Sequence, residues 1–130
     1  MGEILNELLL EIKSSDIDEK VRIICDRIIS EEKDNITCPK YLMEGPNVFL
    51  CLDVPGRTSR ELSWLALERE SKEKYIIRLW TKRKRKPEVD KDGKEIETPI
   101  KISSQWSINE NSPEKILKQY VEKLKYLKGE

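Results

Sequence analysis

Lys82-Arg83-Lys84-Arg85-Lys86 is a run of five consecutive cations that follows Arg78-Leu79-Trp80, and it is the densest chemical signal in the chain. Each ammonium or guanidinium can neutralise a phosphate and release counterions, and an aromatic ring on the adjoining strand can give a base a face to stack on. On that chemistry the candidate nucleic-acid-binding residues are Arg78, Trp80, Lys82, Arg83, Lys84, Arg85 and Lys86, with Tyr75 or Trp80 as the stacking ring. The same run suits a nuclear-localisation signal or a dock for an acidic protein. Against these readings stands a solvated strand end, in which Glu88, Asp90, Asp92, Glu95 and Glu97 across the following loop pair with the cations. Adjacent like charges repel, however, and five in a row exceed what edge protection requires.

Carboxylates make a weaker pattern. Asp53 and, 17 residues later, Glu70-Ser71-Lys72 distantly echo the acid plus Glu-x-Lys arrangement with which metal-dependent nucleases hold a cation and orient water. Glu70 to Lys72 falls in an expected hairpin loop, and such triplets are frequent in a chain with 25 basic and 25 acidic residues. Solvated loop charge is therefore the expected reading. The chain has no histidine, which removes the usual general base near neutral pH and a common zinc ligand. Cys25, Cys38 and Cys51 lack a Cys-x-x-Cys pair and do not supply four zinc ligands. Their odd number and wide spacing fit reduced thiols, with Cys25 and Cys51 acting as small buried hydrophobes. Gly56 and Gly93 stand alone, so no phosphate-cradling loop is present. The expectation is a binding protein without catalysis, metal or cofactor, a carboxylate-dependent nuclease being the remote enzymatic option.

The 130 residues suit one domain with a real core, since 37% are hydrophobic and cluster periodically despite 38% charge. Zero net charge excludes a chain that coats nucleic acid with its whole surface. That zero is a cancellation: residues 1–36 hold 5 basic and 10 acidic groups, and residues 71–130 hold 16 and 10. Such asymmetry suggests self-association or a partner read by one end only. The start, Met1-Gly2-Glu3-Ile4-Leu5, lacks a basic leader, and no window approaches a membrane span, so the expected location is cytoplasmic with no membrane partner.

The elements that must position the basic run follow from periodicity. Residues 3–13 place Ile4, Leu5, Leu8, Leu9 and Ile12 on one helical face. A second helix, opened by a capping box at Ser15 or Asp16, carries Ile17, Val21, Ile24, Cys25, Ile28 and Ile29, with Glu31 and Glu32 predicting fraying near Ser30. After an irregular connection come four strands. Val48 to Val54, Leu62 to Glu68 and Tyr75 to Thr81 are apolar on both faces, which predicts strands that are central or covered on both sides. In the fourth, Ile100, Ile102, Ser104, Trp106 and Ile108 alternate with polar residues, which predicts one buried face. Asp90-Lys91-Asp92-Gly93 supplies a turn before it, so the third and fourth strands are expected to extend as a ribbon. Trp64 and Trp106 read as core, whereas Trp80 shares a face with Arg78 and Lys82. Ser112, Pro113 and Glu114 open a final helix with the stripe Ile116, Leu117, Tyr120, Val121, Leu124 and Leu127.

The expected fold class is α+β in a single domain, 1–130. It comprises an acidic pair of N-terminal helices (1–33), a four-stranded antiparallel meander with a long basic ribbon (47–108) and a C-terminal helix packed on the sheet (112–128). The element order over residues 47–128, with its basic ribbon and aromatic strands, is similar to that of Whirly-type and transcriptional-coactivator single-strand-binding proteins. The function expected from the residues is nucleic-acid binding through the basic ribbon. The alternative is a protein-interaction module: a homodimer, chaperone, adaptor or compact protein inhibitor whose partner is a protein.

Overall fold

Two strands, Glu61–Ser71 and Lys74–Arg83, dictate the architecture because their middles are buried on both faces, so each face needs its own cover. The computed structural model describes residues 17–32, 36–43, 45, 47–71, 74–84, 88–96, 98–109 and 112–129. The expected helix over 3–13 and the capping box at Ser15 and Asp16 lie outside these residues. The order is α1 (Ile17–Glu32), α2 (Lys40–Met43), β1 (Val48–Val54), β2 (Glu61–Ser71), β3 (Lys74–Arg83), β4 (Glu88–Val89), β5 (Glu95–Ile96), β6 (Lys101–Ile108) and α3 (Pro113–Leu127). Four strands form one antiparallel sheet in the order β1-β2-β3-β6, and β4 and β5 form a separate pair. The α+β meander closed by a C-terminal helix is thus the fold. No helix among the described residues is long and apolar enough to cross a membrane.

On one sheet face, Leu52, Val54, Leu65, Leu67, Ile77 and Leu79 pack under Val21, Ile24, Cys25 and Ile28 of α1 and Ile116, Leu117, Tyr120 and Leu124 of α3. Both helical stripes match the sequence spacing, and each such aliphatic side chain contributes roughly 1.5–3 kcal/mol on burial. The opposite face buries Cys51, Trp64 and Ala66 under Leu42 of α2, with Trp80 and Ile100 at the margin. Helix α2 was not anticipated. It is a single turn that starts behind Pro39, whose carbonyl accepts the amides of Leu42 and Met43, and it is too short to show a period.

Three local features differ from expectation for identifiable reasons. Helix α1 continues to Glu32, and the Arg27 guanidinium meets Glu31 one turn later at 3.3 Å, which offsets the unfavourable acid near the helix end. In β6 a bulge lies opposite the step from Leu79 to Trp80, so Ser104 faces Leu79 while Ile102 faces Trp80. One extra residue reverses side-chain parity, which places Ile102 and Ile100 on the face opposite Trp106 and Ile108. Finally, Ser112 holds the N-cap position in extended backbone but makes no side-chain cap bond.

Polar contacts fix the helices to the sheet. Asp18 in the first turn of α1 accepts a hydrogen bond from the Tyr75 hydroxyl and an ion pair from Arg69 at 2.5 Å. The buried Tyr120 hydroxyl of α3 donates to the Leu65 carbonyl at 2.6 Å. Burial pushes the Tyr120 phenol well above its ordinary value of 10.0 and the Cys25 thiol above 9.0. Both groups stay protonated in the folded chain while the unfolded chain ionises, so their stabilisation is complete below these values and is lost as pH rises. The urea midpoint should hold steady from pH 6 to about 8.5 and fall above about pH 9, by up to roughly 1.4 kcal/mol per pH unit for each group. A midpoint unchanged up to pH 11 would contradict this assignment.

Candidate functional site

Antiparallel register gathers cations at one end of the sheet. Arg83 faces Glu61, Lys82 faces Leu62 and Lys101 faces Thr81, so the ends of β3 and β6 meet the turn joining β1 to β2. That turn contributes Arg57 and Arg60. The Lys84 amide donates to the Arg60 carbonyl at 2.8 Å, carrying the β2–β3 ladder one step past Arg83, and the Lys84 Nζ donates to the Ser59 carbonyl at 3.2 Å. Arg57 Nη2 reaches the Ser104 hydroxyl of β6 at 3.2 Å. Arg57, Arg60, Lys82, Arg83, Lys84 and Lys101 therefore come from three chain segments held on one hydrogen-bonded frame. None of them forms an ion pair among the described residues. Thr58, Arg60, Glu61, Arg83 and Lys84 line a hollow of about 470 Å³, and Glu61, Arg83 and Lys101 line another of about 380 Å³.

Three of these residues, Arg57, Arg60 and Lys101, were not singled out from the sequence. The available signal was the meander itself, since in such a sheet the turn before the second strand lies beside the end of the third. Among the residues that were singled out, Lys82, Arg83 and Lys84 join the cluster, whereas Arg85 and Lys86 lie outside the described residues. Arg78 and Trp80 sit further along β3, both turned to Glu68: Arg78 Nη1 at 3.1 Å and Trp80 Nε1 at 2.8 Å. Glu68 is buried, and its two oxygens are shared between a guanidinium and an indole N–H. Trp80 is half-buried beside the exposed Ile102, and Lys82 lies opposite the exposed Leu62. Tyr75 is 3% exposed, with its ring centroid 5.4 Å from that of Phe49 and its hydroxyl on Asp18, so its contacts are internal.

The acids expected to face the basic run are occupied differently. Glu88, Asp90, Asp92 and Glu95 belong to the β4–β5 hairpin, where Asp90 accepts the amides of Asp92 and Lys94 at 2.9 Å and Gly93 takes a φ of 79°. Among the described residues none of these acids pairs with Lys82, Arg83 or Lys84. Glu97 lies outside the described residues.

Asp53 and Glu70 do not converge. Asp53 is opposite Trp64, and Glu70 lies six residues further along β2, about 20 Å away at the rise of a strand. Asp53 instead holds the segment before α2, accepting the Thr37 amide at 3.1 and 3.2 Å, the Thr37 hydroxyl at 2.5 Å and, more weakly, the Cys38 thiol at 3.8 Å. A hydrogen bond with Cys51, followed by burial, pushes the Cys38 thiol far above its ordinary range, which leaves it a poor nucleophile at neutral pH. All three cysteines are free, and Cys25 and Cys51 are buried as expected. Among the described residues no group of three or more Cys, Asp and Glu is placed to hold a metal ion. Lys72 lies outside them.

No family model, no characterised protein and no solved structure matches the chain.

Gly56 sets the path of the turn that presents Arg57 and Arg60. A Cβ there would lie 2.3 Å from the Glu61 carbonyl oxygen, inside the reach of any real contact. Gly56→Ala should lower stability by about 1–3 kcal/mol through this overpacking and shift the amide resonances of Arg57 to Glu61. An unaltered melting temperature and spectrum would contradict the turn geometry.

Proposed function

We propose that the protein is a small non-enzymatic binding protein that engages nucleic acid through the cationic end of its sheet. The observation that supports this reading is that Arg57, Arg60, Lys82, Arg83, Lys84 and Lys101 gather at one end of the sheet and that none of them forms an ion pair among the described residues, although Glu61 faces Arg83 across the ladder. Ladder hydrogen bonds order the backbone before any ligand arrives, so less conformational entropy is lost on binding than a loose basic tail would lose. Phosphate neutralisation would dominate, with little dependence on base sequence. Trp80, Ile102 and Leu62 flank Lys82 and offer a modest apolar surface beside the backbone path. Confining the charge to one end also reconciles phosphate binding with zero net charge. The protein-interaction alternative would start from Val89 and Ile96, exposed on the acidic β4–β5 hairpin, a smaller patch than such an interface needs.

Anisotropy of a fluorescent single-stranded oligonucleotide at 25 and 150 mM salt tests the proposal. Binding should weaken steeply with salt, and changing Lys82, Arg83 and Lys84 together to Gln should reduce the slope of log K against log salt by about 2, near 0.7 per lost contact. No binding at 25 mM salt would remove the reading.

A further inference from the structure

The last turn of α3 and the sheet face beneath it enclose a second feature, next to the basic end but lined differently. A cavity of about 350 Å³ is bounded by Arg57, Ser63, Ser104, Trp106, Tyr126 and Leu127, among others. Its volume is at the lower end of small-ligand sites. Ser63 forms part of its wall and is 4% exposed, yet its hydroxyl has no hydrogen-bond partner among the described residues. A buried hydroxyl in that condition is destabilising, a cost that alanine at this position would avoid. Arg57 is tethered at the rim by its bond to Ser104 and keeps further N–H donors. Tyr126 is 77% exposed, and the Lys123 ammonium lies 4.4 Å from the Trp106 ring centroid and 6.0 Å from that of Tyr126.

We propose that this cavity is a nucleotide site, in which a base packs against Tyr126 and the edge of Trp106 while its phosphate meets Arg57 and Ser104. An inorganic anion would leave the rings unused, and an apolar ligand would leave the Ser63 hydroxyl and the remaining N–H donors of Arg57 unused. Only a planar ring that carries both an anion and hydrogen-bonding groups uses the whole wall. Lys123, Lys125 and Lys128 offset the negative end of the α3 dipole at this place. The nucleotide has two sources, free mononucleotide or the terminus of a bound strand. The second source rests on the nucleic-acid reading above: Ser63 of the cavity faces Thr81 directly, and the Glu61–Arg83 pair of the basic end lies two residues further along the same sheet face.

The test titrates the full chain with AMP, adenosine and inorganic phosphate at low salt, followed by amide chemical shifts and tryptophan fluorescence. AMP should saturate with an affinity at least tenfold above either fragment. Arg57→Gln should weaken AMP more than adenosine, and Ser63→Ala should weaken both while melting at the wild-type temperature or above. AMP binding no tighter than phosphate, or unchanged in Ser63→Ala, would overturn the site. A second arm compares a linear oligonucleotide with its circularised form. Tighter binding of the linear strand supports the terminus as the source, and equal affinity overturns it. Failure of both strands to bind while AMP still saturates would sink the basic-end reading and leave the nucleotide site standing.

Discussion

Burial of β2 and β3 on both faces is the constraint from which the rest of this structure follows. From Ser63 to Glu68 every residue of β2 is buried, and its partners on β3 are nearly so. A strand in that position cannot alternate apolar and polar residues, and each face of the sheet requires a cover. Helices α1 and α3 cover one face, and α2 with its neighbours contributes to the other. At the sheet's own end, where this cover stops, the turn after β1 and the termini of β3 and β6 carry cations without ion pairs among the described residues. The cationic cluster is therefore a consequence of how the core is closed.

Glu68 is the exception that illustrates the rule. A carboxylate buried in the middle of the sheet must have its oxygens satisfied, and Arg78 and Trp80 supply the donors. Removing one partner from such a pair is strongly unfavourable, because a desolvated charge remains. Two residues that looked from the sequence like ligand contacts thus also serve an internal network. Tyr75 shows the same pattern at the other end of β3, where Asp18 and Phe49 engage both its hydroxyl and its ring.

Much of the fold was legible in the sequence because it rests on local periodicity. The stripes of α1 and α3 and the unbroken apolar runs of β1 to β3 lie in the segments where the spacing places them. What was not legible depends on pairing across the chain. The bulge that sends Ile102 and Trp106 to opposite faces is a register event, invisible in the alternation of β6 itself. The Tyr75–Asp18 bond joins residues far apart in sequence, so local periodicity gives no hint of it. The candidate site was half visible for the same reason: Lys82 to Lys84 stand together in the sequence, but Arg57, Arg60 and Lys101 join them only through the meander. The cavity beside Ser63 has no sequence signature, since an unpartnered hydroxyl is a property of packing.

The proposed binding surface is one end of the doubly covered sheet. Amide chemical-shift mapping on the labelled chain during titration with a single-stranded oligonucleotide tests it most directly. The predicted result is a set of perturbations centred on Arg57 to Glu61, Lys82 to Lys84 and the start of β6, with α1 and the β4–β5 turn unmoved. Perturbations centred on α1 or on the β4–β5 hairpin, with the cationic end unchanged, would contradict it.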